Sequence, residues 1–446
     1  MLSPLRCRIY RHLFAAQVIA LLGTGLATVA LGLIAFQLAG AEAGAVLGTA
    51  LAIKMLAYVG VAPVAGAFAN QLPRRAMLVT LDLVRAAVAI CLPFVDAVWQ
   101  VYTLIFVLQA ASAAFTPTFQ ATIPDVLPDE AEYTRALSLS QLAYNLENLV
   151  SPTLAAALLT VISFHWLFAG TALGFLASAA LVVSVLLPSP KPAVPQGVYD
   201  RITRGARLYL ATPRLRGLLA LNLAVAAAGS MVIVNTVVFV QARLGLGQRE
   251  TAWALAAFGG GSMLAALALP RLLEHVADRR VMLAGAGVLV AGLLAGLAGP
   301  DFAALLPLWF VLGAGYTIVQ TPTGRLLRRS AHPEDRPALF AAQFALSHAC
   351  WLLTYPLAGW LGVKAGLLVS FTVLAGIAAA AALVAAWLWP ASDPDVVLHV
   401  HRDLDTHHPH LAGAEPVASG FRHAHAFMID REHNAWPKQE ATIQAV

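Results

Sequence analysis

The chain has 446 residues, 59% of them hydrophobic and 11% charged, with a net charge of +5 and a mean hydropathy of +0.75. An average soluble domain carries about 25% charged residues, so this composition excludes a soluble globular protein and points to an integral membrane protein whose surroundings are lipid. The positive balance does not point to nucleic acid, because the basic residues lie singly and in pairs between apolar runs rather than on one solvated surface.

In chain order, Arg6, Arg8 and Arg11 precede an apolar stretch from about 13 to 38. That stretch is too long for the apolar core of a cleaved signal and reads as the first span. Runs of about 17 to 25 apolar residues, enough to cross a bilayer as a helix, predict spans near 12–39, 45–69, 77–95, 98–120, 137–162 and 165–188. A second set falls near 215–241, 251–273, 281–299, 303–324, 338–361 and 366–389. The expected fold is therefore all-α, with twelve transmembrane helices in two six-helix bundles, 1–190 and 215–390. A basic, Pro-rich linker, 191–214, with a short amphipathic helix joins them, and a His-rich tail, 391–446, follows. Arg74, Arg75, Arg135, Arg201, Arg204, Arg207, Arg325, Arg328 and Arg329 fall on the side of the N-terminus, whereas the opposite loops hold Arg243, Arg249 and Lys364. The positive-inside rule then puts both termini in the cytoplasm.

Cys7, Cys91 and Cys350 are too few and too separated for a disulfide framework or a thiolate metal site. The chain has no phosphate-binding loop, Cys-x-x-Cys motif or nucleophile elbow. Neither an enzyme, an ATP-driven pump nor a bound cofactor is expected.

The two blocks resemble each other. Arg74-Arg75-Ala76-Met77-Leu78 recurs as Arg279-Arg280-Val281-Met282-Leu283, and Thr116-Pro117-Thr118 as Thr321-Pro322-Thr323, both at an offset of 205. Pro152 and Pro356 repeat one residue off that register. Parallel six-helix repeats with a cavity between them are a secondary-transporter architecture.

The stretch GAFANQLPRR, residues 66–75, resembles the loop signature of the major facilitator superfamily, a Gly followed by Asp-Arg and a basic pair. Gly66, Arg74 and Arg75 match it; Asn70 and Gln71 stand where the family has Asp and Arg, so Asn70 keeps a hydrogen bond but no charge. In the second block VADRRVML retains Asp278, Arg279 and Arg280. ENLVSP, residues 147–152, occupies the place of the fifth-helix Gly-Pro motif of exporters in the family, with Pro152 matching and Glu147 and Ser151 where glycines are usual. Within the superfamily the chain looks like the branch of macrolide-efflux and nickel-resistance exporters, some of which carry a His-rich cytoplasmic tail. The resemblance implies a monomeric, cofactor-free efflux transporter in the cytoplasmic membrane of a bacterium, exchanging protons for a small toxic solute.

Charged side chains at membrane depth are costly and need a partner or a function. Asp82 and Arg85, three apart on the third span, are expected to pair with each other or with Arg74 in a structural or gating role. Glu147 lies about ten residues into the fifth span between Asn145 and Asn148. It is either the proton carrier or substrate ligand of the cavity, or the partner of Lys54 in an ion pair joining the second and fifth helices. His348 and Cys350 read as packing residues of the eleventh span.

Eight histidines follow the last span: His399, His401, His407, His408, His410, His423, His425 and His433. If 399–405 is extended, a two-residue period puts His399, His401, Asp403 and Asp405 on one side, a ligand set suited to zinc, nickel or copper. His423 and His425 repeat the spacing. Such a site should lose metal below about pH 6, as ordinary histidines protonate. The alternatives are a solvated, disordered tail in which histidine has no special role, or a tail that docks under the bundle through Phe421, Phe427, Ile429 and Trp436. Three functions follow: proton-coupled export of a divalent metal, nickel or cobalt, captured by the tail; export of amphipathic, macrolide-like organic compounds with the tail uninvolved; or a non-transporting sensor or scaffold.

Overall fold

A computed structural model describes residues 2–39, 43–69, 72–188 and 197–394, and in the tail 396–401, 405, 408–418, 420–430, 432–433 and 436–437. Asn70, Gln71, Asp403 and His407 lie outside the described residues, as do the side chains of Asn145 and Asn148.

The first block forms α1 (Arg8–Ala39), α2 (Ala43–Phe68), α3 (Arg74–Cys91), α4 (Val98–Val126), α5 (Glu130–Leu158) and α6 (His165–Val183). An amphipathic helix, α7 (Val198–Ala211), follows. The second block forms α8 (Pro213–Val237), α9 (Gln248–Leu273), α10 (Asp278–Ala295), α11 (Phe302–Gln320), α12 (Thr323–Arg329), α13 (Arg336–Lys364) and α14 (Leu367–Leu388). Among the described residues eleven helical segments are long and apolar enough to cross a membrane, with α11 and α12 counted as one, against the twelve spans expected. The exception is α5. At 29 residues it is about 43 Å long, but Glu130, Glu132, Arg135, Gln141 and Glu147 lower its apolar content.

Helix pairing is the same in both blocks. α1 packs on α5 and α6, α2 on α4, and α3 on α4 and α6; correspondingly α8 packs on α13 and α14, α9 on α11, and α10 on α11 and α14. Glycine makes the closest approaches possible. A Cβ on Gly261 would collide with the Phe310 carbonyl and one on Gly313 with the Phe258 carbonyl, so α9 and α11 touch backbone to backbone, as small residues allow in membranes. The blocks differ at the repeated Thr-Pro-Thr. α4 runs on through Pro117 and Pro124, whereas the second copy ends α11 at Gln320 and Pro322 caps the separate α12.

Each block has its own apolar core. Exposed Leu173, Trp253, Trp360, Leu383 and Trp387 on the helix exteriors form the surface that lipid covers. The blocks meet through α2 against α13 and α5 against α9. A small shared cluster, Ala62, Ala113, Phe344 and Ala345 with Tyr58 and Val61, sits at the first of these contacts.

The tail departs from the all-α expectation. β1 (Val396–His401), β2 (Glu415–Val417) and β3 (Gly420–Ala426) form an antiparallel sheet in the order β1-β3-β2. VVLHVH is rich in β-branched residues, which suit a pleated, half-buried strand. The sheet is followed by Phe427 and Ile429, which bury into the core of the second block, and by Trp436, which packs beside them.

Candidate functional site

Three constellations stand out, and the helix periodicity of α5 builds the first. Ser140, Tyr144, Glu147 and Ser151 follow spacings of four, three and four, which place them on one face of a helix. Ser140 donates to Gln17 Oε1 on α1 at 3.1 Å. Gly25 on α1 has no room for a side chain, because a Cβ there would collide with Ser151 and come 3.0 Å from Glu147 Oε1. The stripe at the same register of α13, 204 residues later, is Phe344, His348, Trp351 and Tyr355. Where α5 offers hydroxyls and a carboxyl, α13 offers aromatic rings. Tyr58 of α2 bridges the blocks, with ring centroids 4.8 Å from Phe344 and 4.7 Å from His348.

Lys54, one turn along α2, holds its ammonium 5.5 Å from the Tyr58 ring centroid, a cation–π distance. Lys54 acts electrostatically on both Glu147 and His348, so the three face one another between the blocks. No ion pair within 4.0 Å joins Lys54 to Glu147 among the described residues. Both are half-buried. Gln17, Ser140, Tyr144 and Tyr58 were not among the sequence-based candidates, although the polar stripe on α5 could have pointed to Ser140 and Tyr144. Asp82 and Arg85 border this space, and the Arg85 charge acts on Tyr58 and Tyr144. They pair with each other as expected, Ser178 donates to Asp82 Oδ2 at 2.7 Å, and the Arg85 guanidinium lies 4.0 and 4.6 Å from the ring centroids of Phe115 and Phe175. Arg74 does not join them.

The second constellation closes the bundle at the face that carries the N-terminus, α7 and the tail. Buried Arg74 at the start of α3 pairs with Asp125 at the end of α4 at 2.6 Å, and Arg336 at the start of α13 pairs with the same carboxylate. In the other block Asp278 at the start of α10 pairs with Arg325 at 3.1 Å and Arg329 at 3.5 Å, and Arg325 reaches Glu130 at the start of α5 at 2.6 Å. The triads Arg74–Asp125–Arg336 and Asp278–Arg325–Glu130 occupy corresponding places with opposite polarity, cation–anion–cation and anion–cation–anion, with Arg329 a fourth member on Asp278, and each crosses between the blocks. Arg135 on α5 adds a contact to Glu274 at 3.6 Å. Of the remaining loop candidates, Gly66 packs against Ala341 and Pro337 of α13, and Arg279 donates to the Trp389 and Ala386 carbonyls. Arg75 and Arg280 take no part in either triad among the described residues.

Asp125→Asn should release both arginines of the first triad and favour the form open at this face. Charge-assisted hydrogen bonds contribute about 1.5–3 kcal/mol each, so a cysteine introduced at Ala62, buried in the inter-block cluster, should react with a soluble thiol reagent roughly ten times faster or more. An unchanged rate would show that the triad does not hold the blocks together.

The third constellation is the tail. His399 and His401 of β1, His410, His423 and His425 of β3 and His433 bring one ring nitrogen each within 4.8 Å of all the others. Register places His399 opposite His423. Asp405 of the extended 399–405 ligand set is not in the group, nor is His408; β1 ends at His401, and residues 402–404 lie outside the described residues. His408 Nδ1 accepts from the His410 backbone instead, at 3.3 Å. Burial, followed by repulsion from neighbouring rings, holds His399, His401 and His423 down to about 4 and lowers His410. His399, His401 and His423 are therefore neutral at neutral pH.

Two helical blocks that meet around a half-buried polar and aromatic space, with an apolar exterior, define a multi-pass membrane transporter. Residues 13–236 and 218–426 each match the sequence profile of the Major Facilitator Superfamily, and the chain belongs to that superfamily. It is 25% identical over 385 residues to the uncharacterized MFS-type transporter YfiS of Bacillus subtilis, covering 80% of this chain and 88% of that one. Macrolide efflux protein A of Enterococcus faecalis is 27% identical over 152 residues, 32% of this chain and 47% of that one. The crystal structure of the human organic anion transporter MFSD10 (TETRAN) shares the fold at a TM-score of 0.72 and 13% identity, covering 85% of this chain and 99% of that one.

Proposed function

We propose that this transporter exports amphipathic organic compounds from the cytoplasm of a bacterium, driven by protons that Glu147 carries. On this reading residues 1–190 and 215–390 are pseudo-repeats of six spans each, α5 included, joined by the linker 191–214. Both termini and the tail, 391–446, lie on the cytoplasmic side of the inner membrane, and the protein works as a monomer. The matching pairing of helices in the two blocks supports the repeat. The carrying observation is the chemistry of the inter-block space, where the rings of Tyr58, Phe344 and His348 lie against one another beside Lys54, whose charge acts on Glu147. Such a surface suits a substrate with an apolar body and one charged or polar group. The likeness to macrolide efflux proteins over about a third of this chain agrees with it.

The nickel or cobalt reading rests on the tail histidines. Among the described residues, however, the grouping of metal-ligating side chains is in the tail, outside the helices. The two readings separate in one experiment: growth of cells lacking and overexpressing the protein, across macrolides, other amphipathic drugs, nickel and cobalt, with full-length protein and a truncation after Pro390. Organic export is expected to give drug resistance that survives the truncation and no change in metal tolerance. Protection from nickel or cobalt that disappears with the tail would replace it with metal export.

A further inference from the structure

The six tail histidines are arranged for a purpose that packing does not explain. All six direct Nε2 to one place. His399 Nε2 is 3.1 Å from His401 Nε2 and 3.0 Å from His433 Nε2, and the Nε2 atoms of His410, His423 and His425 are buried with no hydrogen-bond partner among the described residues. On the far side of the rings, His399 Nδ1 lies 3.0 Å from the Val397 carbonyl, His425 Nδ1 2.8 Å from the Ala426 carbonyl and His433 Nδ1 2.8 Å from Asp430 Oδ1. Those partners only accept, so Nδ1 carries the proton and Nε2 presents a lone pair. Inward lone pairs on His399 and His433 therefore face each other at 3.0 Å. Buried acceptors without partners are destabilising, and here one cation at the centre would serve them all.

We propose that the six Nε2 atoms bind a single six-coordinate divalent transition-metal ion, nickel(II) best, which resides in the tail and fastens it to the second block. Imidazole suits borderline ions, and magnesium and calcium take oxygen ligands. Zinc favours four ligands, and copper(II) favours a tetragonal arrangement. Among six-coordinate ions of this series affinity rises from manganese through cobalt to nickel. The outer shell ties the site to the bundle. Asp430 Oδ1 holds His433, while Oδ2 lies 3.4 Å from Nε2 of His332 in the connection between α12 and α13. Phe427 and Ile429, between β3 and Asp430, anchor in the second-block core. The Arg214 guanidinium covers Trp436 at 5.0 Å from its ring centroid. This goes beyond the export reading and does not depend on which solute the helices carry.

The test uses purified full-length protein in detergent, stripped with a chelator and titrated separately with nickel, cobalt, manganese and zinc salts. One nickel ion per chain is expected, with nickel K-edge absorption fitted by six imidazole nitrogens and affinity in the order nickel, cobalt, manganese. His399→Ala with His423→Ala should weaken nickel binding at least 100-fold, whereas His408→Ala, outside the cluster, should leave it unchanged. Asp430→Ala should weaken it 10–100-fold, as loss of an orienting partner does, and metal should slow proteolysis of the tail in the parent protein. Elution as a monodisperse peak checks that each variant retains its fold. No nickel binding, several ions per chain weakened equally by His408→Ala, or four-nitrogen ligation would overturn the site. Nickel tolerance of cells that falls with the His399→Ala/His423→Ala variant would overturn residence and make the metal cargo.

Discussion

Glu147→Gln should leave the protein folded and inserted yet abolish uphill export. The amide keeps the shape of the side chain beside Ser151 and Gly25 but can neither take up nor release a proton, and an intramembrane carboxyl with a cation nearby is the kind of group that relays one. The position of Lys54 matters to the argument. It acts electrostatically on Glu147 without an ion pair, so a change in the charge of Glu147 alters the field on α2, which packs on α13 across the blocks. Lys54→Met should therefore retain part of the transport and shift its pH dependence, a milder defect than Glu147→Gln. The assay is drug efflux from proteoliposomes with an imposed pH gradient, alongside downhill substrate flux without one. Full uphill efflux by the Gln variant would move proton coupling to another residue; loss of expression would mean that Glu147 is structural.

The largest effect on stability should come from Asp82→Asn. Asp82 and Arg85 are buried in the first block, and the guanidinium stacks between Phe115 and Phe175 with no solvent to take up its charge. Breaking a buried pair by neutralising one member costs about 3–5 kcal/mol, whereas replacing both members with groups of similar volume is often neutral. The amide retains a partner for Ser178, so the loss isolates the unpaired Arg85. Unfolding of the detergent-solubilised protein should occur at a clearly lower temperature for Asp82→Asn, with most of the loss recovered when Arg85→Met is added. A double variant as unstable as the single one would show that shape, not charge, governs the site.

Much of this protein was legible from local pattern. Apolar runs of membrane length marked the helices, since the bilayer imposes their length and their internal hydrogen bonding. The exception, α5, falls short of the apolar criterion because of the polar residues that mark it as a candidate working helix. The stripe Ser140, Tyr144, Glu147, Ser151 follows from helical periodicity alone, and its aromatic counterpart on α13 from the 204-residue offset of Pro152 and Pro356. In β1 the alternation of valine and histidine likewise put His399 and His401 on one face before any partner was known.

Tertiary structure decided which of these groups meet. Nothing local assigned Asp125 to Arg74 and Arg336, or Glu130 to Arg325, because helix-end charges choose partners only when distant helices bring their ends together. The same holds in the tail. Period two promised a site made of His399, His401, Asp403 and Asp405; among the described residues Asp405 stays out of the group, and His410, His423, His425 and His433 join His399 and His401. Periodicity tells which way a side chain leaves its own helix or strand; what it meets there depends on the packing of other segments, up to 211 residues away in the pairing of Arg336 with Asp125.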